Sequence, residues 1–159
     1  MSEALVRRYF DALARLDGEA MTRCLHPMVS YSDPVFADLR GDDVGWRWRL
    51  MARGAADMHL AYDIVWGDAH KAQVQWLARY RFAGSHRQVS NQVCTTLTFW
   101  DGTIVRQIDE YDFPRWSRSS AGVLAWAVCA LPAGRAALRR RALLQLRAFI
   151  DRETAATKH

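Results

Sequence analysis

Apolar residues recur at helical spacing in the first third of the chain. This spacing predicts a first helix over residues 3–16 and a shorter second helix over 18–26. Asp17 is placed to cap the second helix, and Pro27 is placed to end it. The N-terminal segment is therefore predicted to be helical, with a break near residue 17.

A third helix is predicted over residues 43–53, with Asp42 or Asp43 as its cap. Its apolar face carries Val44, Trp48 and Met51. Helical spacing directs its arginines away from that face; they are Arg47, Arg49 and Arg53.

The pattern then changes to runs rich in Val, Ile, Thr and aromatic residues, which favour strands. These runs are 58–66, 71–83, 86–100 and 103–113, and a short strand over 29–32 precedes them. Short turns such as Asp101-Gly102 separate the runs and predict an antiparallel meander. Long strands twist. The predicted fold is therefore α+β: a cone-shaped, curved antiparallel sheet with three N-terminal helices packed on its concave face.

Pro114 ends the strand pattern and divides the chain into a sheet-bearing part, 1–113, and a helical extension, 114–159. The extension is predicted to hold one helix over 117–131, a break at Pro132–Gly134, and a basic helix over 135–153. We interpret it as part of the same domain, acting as a lid or as a dimer element.

The net charge of +5 is unevenly distributed. Residues 1–113 have 13 Lys and Arg against 15 Asp and Glu, a net of −2, whereas residues 114–159 have 9 against 2, a net of +7. A nucleic-acid-binding body usually carries its own basic face, so nucleic acid is not an expected partner. The triplet Arg139-Arg140-Arg141 indicates either a solvated helix face or contact with an anionic membrane surface.

Cysteine usage and hydropathy favour a cytoplasmic protein. The three cysteines form no C-x-x-C pair, and the N-terminus has no pattern typical of a signal peptide. The longest apolar stretch, 121–131, is too short to span a bilayer. The histidines lack metal-ligand spacing and no glycine-rich phosphate loop is present, so we expect neither a metal nor a cofactor.

Two segments carry a resemblance to a known family. Arg8 to Leu13, taken with Asp33-Pro34-Val35, and the closing run Ile108 to Phe113 resemble the nuclear transport factor 2-like superfamily, in its SnoaL-like and ketosteroid isomerase-like branch. In such isomerases a tyrosine on the first helix and an aspartate before a proline belong to the site. The resemblance implies these roles for Tyr9 and Asp33, which are 24 positions apart (33 − 9) as in the isomerases.

The chain departs in two places from the families that it resembles. The resemblance puts Thr95 where the isomerases have a second, protonated aspartate. The Arg-x-Asp pair of limonene epoxide hydrolases would fall near Leu77 to Arg79 and is absent, while their last-strand aspartate has a counterpart in Asp109.

Strand alternation adds further candidates. Thr95, Leu97 and Phe99 share one strand face, as do Gln107, Asp109 and Tyr111. These six, together with Trp48, are predicted to line a pocket with Asp33 and Tyr9. Two carboxylates in one low-dielectric cavity favour one protonated and one ionised group, which gives an acid and a base.

Each catalytic candidate also has a structural interpretation. Asp33 can be a turn residue that binds its own backbone, and Tyr9 can be a core tyrosine with a satisfied hydroxyl. Asp109 can instead pair with an arginine, for which the candidates are Arg79, Arg81 and Arg106.

Two functions remain open from the sequence. The first is a cofactor-free isomerase, cyclase or hydrolase that uses Asp33, Tyr9 and Asp109 on a hydrophobic, oxygenated small molecule. The second is a non-catalytic ligand-binding or dimerisation module. In either case the resemblance implies a homodimer through the outer sheet face, where Trp100 is exposed by strand parity.

Overall fold

The structure, a computed structural model, describes residues 2–55, 57–82 and 85–157. Its helices are α1 Ser2–Ala14, α2 Gly18–Thr22, α3 Asp42–Gly54, α4 Phe113–Ala121, α5 Val123–Ala130 and α6 Pro132–Ala156. Its strands are β1 Leu25–Ser32, β2 Leu39–Arg40, β3 His59–Gly67, β4 Lys71–Arg81, β5 Gln88–Trp100 and β6 Thr103–Tyr111. The predicted α+β class is confirmed, with a curved, unclosed sheet.

The six strands form one sheet in the order β2-β1-β6-β5-β4-β3. Strands β3 to β6 are the predicted antiparallel meander. β1 differs, because it pairs with β6 in the parallel direction. The C-terminal ends of β1 and β6 therefore meet at the same edge of the sheet, and this edge is where the polar site forms.

The helix prediction was wrong at Pro27. α2 ends at Thr22, and Pro27 lies inside β1. The β1–β6 register shifts between Leu25 and Ser30, so this part of the strand does not require the backbone N–H that proline lacks.

The predicted caps of the third helix were also wrong. Gly41, at φ 57°, is the N-cap, and it makes no side-chain capping bond. Asp42 and Asp43 lie in the first turn instead, where their charges interact favourably with the helix dipole.

The core lies between the sheet's inner face and helices α1 and α3. Strand alternation holds, since the side chains of Val74, Trp76 and Ala78 on β4 are buried, as are those of Thr95 and Leu97 on β5. The largest fully buried side chains include those of Trp48, Tyr9 and Tyr31. The expected interior of the cone is thus filled by aromatic side chains.

The C-terminal extension differs from its prediction. The single helix expected over 117–131 is split at Gly122, whose φ of 89° breaks the helix into α4 and α5. Pro132 begins α6, because proline is tolerated in a first turn. Interpreting the extension as a lid or dimer element remains a prediction.

α6 is held against α3 by apolar and ionic contacts. Phe149 is buried and packs edge-on against Trp46, with ring centres 6.0 Å apart. Arg147 binds Asp43 through two bonds of 3.0 and 2.8 Å. No helix within the described residues is long and apolar enough to cross a membrane.

Candidate functional site

A cleft of about 320 Å³ opens where β1 and β6 end side by side. It is lined by Ser32, Asp33, Pro34, Ile108, Asp109, Glu110 and Tyr111. The parallel pairing of the two strands creates this juxtaposition, since Asp33 directly follows β1 and Asp109 lies near the end of β6. The structure therefore brings the two candidate carboxylates into one cavity.

Asp109 is buried and fully engaged in hydrogen bonds. Its Oδ1 accepts from Thr95 Oγ1 at 2.7 Å and from Gln107 Nε2 at 2.9 Å. Its Oδ2 lies 3.0 Å from the Tyr31 hydroxyl. Within the described residues its hydrogen-bond partners are hydroxyls and an amide, and they include none of the arginines considered from the sequence.

Tyr31 joins the two carboxylates. Its hydroxyl lies 2.7 Å from Asp33 Oδ2 and 3.0 Å from Asp109 Oδ2. A phenol has one proton, so it can donate to only one of them at a time. The second contact is a hydrogen bond only when the other carboxyl is protonated and donates to the phenol oxygen. The three groups are thus arranged to hold one additional proton.

Burial favours Asp109 as the group that holds that proton. Burial raises the pKa of Asp109 above its ordinary value and Asp33 raises it further, while Arg47, Gln107 and Thr95 act in the lowering direction. Burial also raises the pKa of Tyr31 well above its usual range. We infer that Asp109 donates to the Tyr31 oxygen and that Tyr31 donates to Asp33.

Asp33 is tied into a turn and also paired with a cation. Its Oδ1 accepts from the backbone N–H groups of Val35, at 2.7 Å, and Phe36, at 2.6 Å. Its Oδ2 lies 3.3 Å from Arg47 Nη2. The turn interpretation therefore matches this geometry, and Asp33 is not an unpaired base.

Arg47 is the counter-charge of the site, and the prediction that it points away was wrong. Its side chain is 14% exposed, and the guanidinium carbon lies 4.0 Å from the Trp48 ring centre and 4.6 Å from that of Tyr31. Aromatic faces and a carboxylate offset the cost of burying this cation. Burial lowers the pKa of Arg47, but the combined effect of Tyr31, Asp33 and Asp109 is larger. The pKa is therefore raised above its ordinary value, and the charge is retained.

A second chain of hydrogen bonds reaches Asp109 from the core. Tyr9 donates to Gln107 Oε1 at 2.6 Å, and Gln107 in turn donates to Asp109. Trp76 Nε1 donates to Thr95 Oγ1 at 2.8 Å, which leaves the Thr95 proton for Asp109. Tyr9 and Thr95 thus orient Asp109 from the interior.

The family follows from sequence comparison. The sequence model of a family described as the SnoaL-like domain matches residues 6–107. The chain belongs to the SnoaL-like domain family. The resemblance seen in the sequence is thereby confirmed. No curated protein matches the sequence significantly.

Solved structures share the fold of this SnoaL-like domain. A proposed polyketide cyclase of Xanthomonas campestris pv. campestris is 16% identical, with a TM-score of 0.67 over 75% of this chain and 96% of the other. An LEH-like epoxide hydrolase of M. tuberculosis is 19% identical, with a TM-score of 0.59 over 80% and 92%.

A protein of Catenulispora acidiphila with a ketosteroid isomerase-like fold, in complex with trimethylamine, is 13% identical, with a TM-score of 0.64 over 73% and 91%. At these identities the likeness shows the fold alone. That fold is a small-molecule-binding one.

The remaining residues predicted to line the pocket lie in different parts of the SnoaL-like domain. Trp48 and Leu97 are fully buried in the core. Tyr111 lines the cleft with the two carboxylates. Phe99 instead lines a different cavity of about 550 Å³, near the start of β6 and so at its opposite end.

Sequence reasoning missed Tyr31 and Arg47. Tyr31 lies two residues before Asp33, and strand alternation could have placed both side chains on one face. Arg47 gave no such signal, because its burial depends on the turn that follows β1. Within the described residues, no group of three or more His, Cys, Asp or Glu side chains could hold a metal ion.

Proposed function

We propose that this SnoaL-like protein is a cofactor-free enzyme that moves protons on a hydrophobic, oxygen-bearing small molecule bound at the cleft. The observation that supports this is the Tyr31 hydroxyl, within hydrogen-bond distance of both Asp33 and Asp109. Asp109 is the group that gives and takes the proton, because burial raises the pKa of its carboxyl and so favours the protonated form.

The arrangement suits reactions in which charge develops on a substrate oxygen. A protonated Asp109 can donate to that oxygen, and the resulting carboxylate is stabilised by Thr95, Gln107 and the nearby charge of Arg47. The same carboxylate can then recover a proton from the product. Isomerisation, aldol cyclisation and dehydration fit this cycle without a net proton change. Epoxide opening fits it when a water molecule adds to the epoxide carbon and gives its proton to the Asp109 carboxylate.

A non-catalytic ligand-binding module is the second candidate. It is favoured by the state of Asp33, which is bound by two backbone N–H groups and by Arg47. A carboxylate with these partners stabilises a turn as effectively as it performs chemistry. In this case the cleft binds a small molecule and releases it unchanged.

The test is turnover of a panel with three members: a β,γ-unsaturated ketosteroid, a terpene epoxide and a poly-β-keto ester. The enzyme hypothesis expects at least one to be converted by the wild type. Asp109→Asn and Tyr31→Phe should each slow that reaction at least a hundredfold. Asp63→Asn, an exposed position on β3, is the matched control and should leave the rate unchanged.

The alternatives give different results. Saturable binding without turnover, unaffected by Tyr31→Phe, would support the binding module. Turnover that survives Asp109→Asn would exclude Asp109 as the acid. A protein that neither binds nor converts any panel member would contradict both proposals.

The homodimer also remains a proposal. Trp66 and Trp100 are exposed on the outer sheet face, at 45% and 69%. Pairing of two such faces would cover both indoles. Light scattering should give a dimer mass for the wild type and a monomer mass for Trp100→Glu; a monomeric wild type would contradict the proposal.

A further inference from the structure

Helix α5 consists of eight apolar residues, and none of them is buried. Together with Leu131 it forms a surface that we call the apolar patch, made of Val123, Leu124, Trp126, Val128 and Leu131. Leu124 is 86% exposed and Leu131 is 63% exposed. A contiguous apolar surface of this kind marks an interaction site.

The charge of the segment that carries the patch has one sign. From Phe113 to Ile150 the sequence contains seven arginines and no Asp or Glu. Arg139 and Arg147 are used within the fold, binding Pro34 O and Asp43. Among the described contacts, the side chains of Arg140 and Arg141 have no hydrogen-bond or ion-pair partner, and both residues are exposed.

The extension holds the patch in a fixed place. Leu146 and Phe149 of α6 are buried against the body, and the paired bonds between Arg147 and Asp43 fix its direction. α5 contacts α6 and α4. The patch is therefore presented by anchored helices and needs no folding step before binding.

We propose that the apolar patch docks on the surface of an anionic phospholipid membrane, with arginines of α4 and α6 contacting lipid phosphates. An exposed apolar helix flanked by cations is the pattern of an interfacial membrane element. The cytoplasmic leaflet supplies the matching negative charge. The element lies on the membrane, since no described helix could span it.

A second copy of the chain is the less suitable occupant. In a symmetric dimer each patch would face its own equivalent, and two extensions of net charge +7 would be brought together. Like charges across an interface oppose association. The membrane proposal is independent of the chemistry at the cleft.

The first experiment is flotation of the full chain with phosphatidylcholine vesicles, with and without phosphatidylglycerol. We expect binding only to the anionic vesicles, weakened by added salt. Leu124→Asp should reduce that binding at least tenfold. Met28→Asp is the matched control, because Met28 is an apolar residue outside the extension that is 80% exposed. This variant should bind the vesicles as the wild type does.

The charge requirement has its own pair of variants. The double change Arg140→Glu and Arg141→Glu should weaken binding to anionic vesicles by roughly tenfold or more. The double change Lys71→Glu and Arg79→Glu, at exposed positions of β4, alters the net charge equally and should have little effect. Circular dichroism verifies that each variant is folded. If Leu124→Asp does not fold, the double variant Arg140→Glu and Arg141→Glu tests the membrane proposal in its place.

Three results would overturn the proposal. One is the absence of wild-type binding to anionic vesicles. Another is an equal loss of binding in the two charge-reversal variants, which would indicate net charge alone. The third is self-association, measured by light scattering without lipid, that Leu124→Asp abolishes; it would assign the patch to a second copy.

Discussion

The cleft and the C-terminal extension invert the usual distribution of side chains. At the cleft, Arg47, Asp33 and Asp109 are charged or ionisable and nearly wholly buried. On the extension, every residue of α5 is apolar and none is buried. The difference between them lies in their partners.

The charged and ionisable groups at the cleft contact one another. Asp109 receives bonds from Thr95 and Gln107, while the guanidinium of Arg47 pairs with Asp33 and stacks on Tyr31. The apolar residues of α5 have no equivalent covering. We therefore expect the protein to tolerate changes on α5 and to be sensitive to any change that removes one member of the buried group.

The largest effect is expected for Arg47→Met, which keeps the aliphatic stem and removes the charge. It leaves two buried carboxyl groups without their cation, and we expect a loss of about 3–5 kcal/mol in the free energy of unfolding. Urea titration measures it. Arg49→Met is the control, since Arg49 pairs with an exposed Glu19 and should cost about 1 kcal/mol or less.

Asp33→Asn added to Arg47→Met should restore part of that loss. It removes the charge of Asp33, which Arg47→Met leaves without a cation, while keeping an acceptor for the backbone N–H groups of Val35 and Phe36. A double variant no more stable than Arg47→Met would show that stacking, and not charge balance, is what Arg47 contributes.

The next effect contrasts two leucines of the extension. Leu146 is fully buried and Leu124 is 86% exposed. Leu146→Ala should cost roughly 2–4 kcal/mol through lost burial and a residual cavity. Leu124→Ala should change stability by about 0.5 kcal/mol or less. Equal costs in thermal unfolding would mean that α5 is covered in solution, and the comparison with the cleft would then fail.

A smaller effect is expected for Tyr9→Phe. The substitution leaves Gln107 Oε1 buried without its donor, which should cost about 1–3 kcal/mol. Tyr62→Phe removes a hydroxyl bonded to Asp11 at an exposed contact and should cost less. Similar values for the two, measured by urea titration, would indicate that water replaces the Tyr9 hydroxyl.

The smallest expected effect is on how the stability of the fold changes with pH. The pKa of Asp109 is raised by folding, so the native state keeps a proton that the unfolded chain releases as the pH rises above about 4. Its contribution to stability is therefore full at low pH and is lost as the pH rises through the folded pKa. Asp109→Asn should remove this loss of stability at rising pH. The free energy of unfolding of the wild type minus that of the variant should therefore decrease as the pH rises. A difference that is flat, or that rises with pH, would show that Asp109 is ionised in the fold.

Strand and helix periodicity predicted most of the elements. The inward faces of β4 and β5 follow from alternation alone, as does the shared face of Gln107 and Asp109. The predicted elements were wrong at Pro27 and at Gly122. A register shift between β1 and β6 accommodates the proline, and a glycine at positive φ interrupts the predicted helix.

The sequence by itself determined the fold class, the family and the presence of two carboxylates on the inner side of the sheet. It could do so because these depend on local periodicity and on short motifs. Only the tertiary structure decided that β1 runs parallel to β6, and that parallel pairing places Asp33 beside Asp109. It also decided that Tyr31 links the two acids and that Arg47 balances them. The contact between Tyr31 and Asp109 joins residues 78 positions apart in the chain, and whether a polar side chain is buried depends on the partners that the rest of the fold provides.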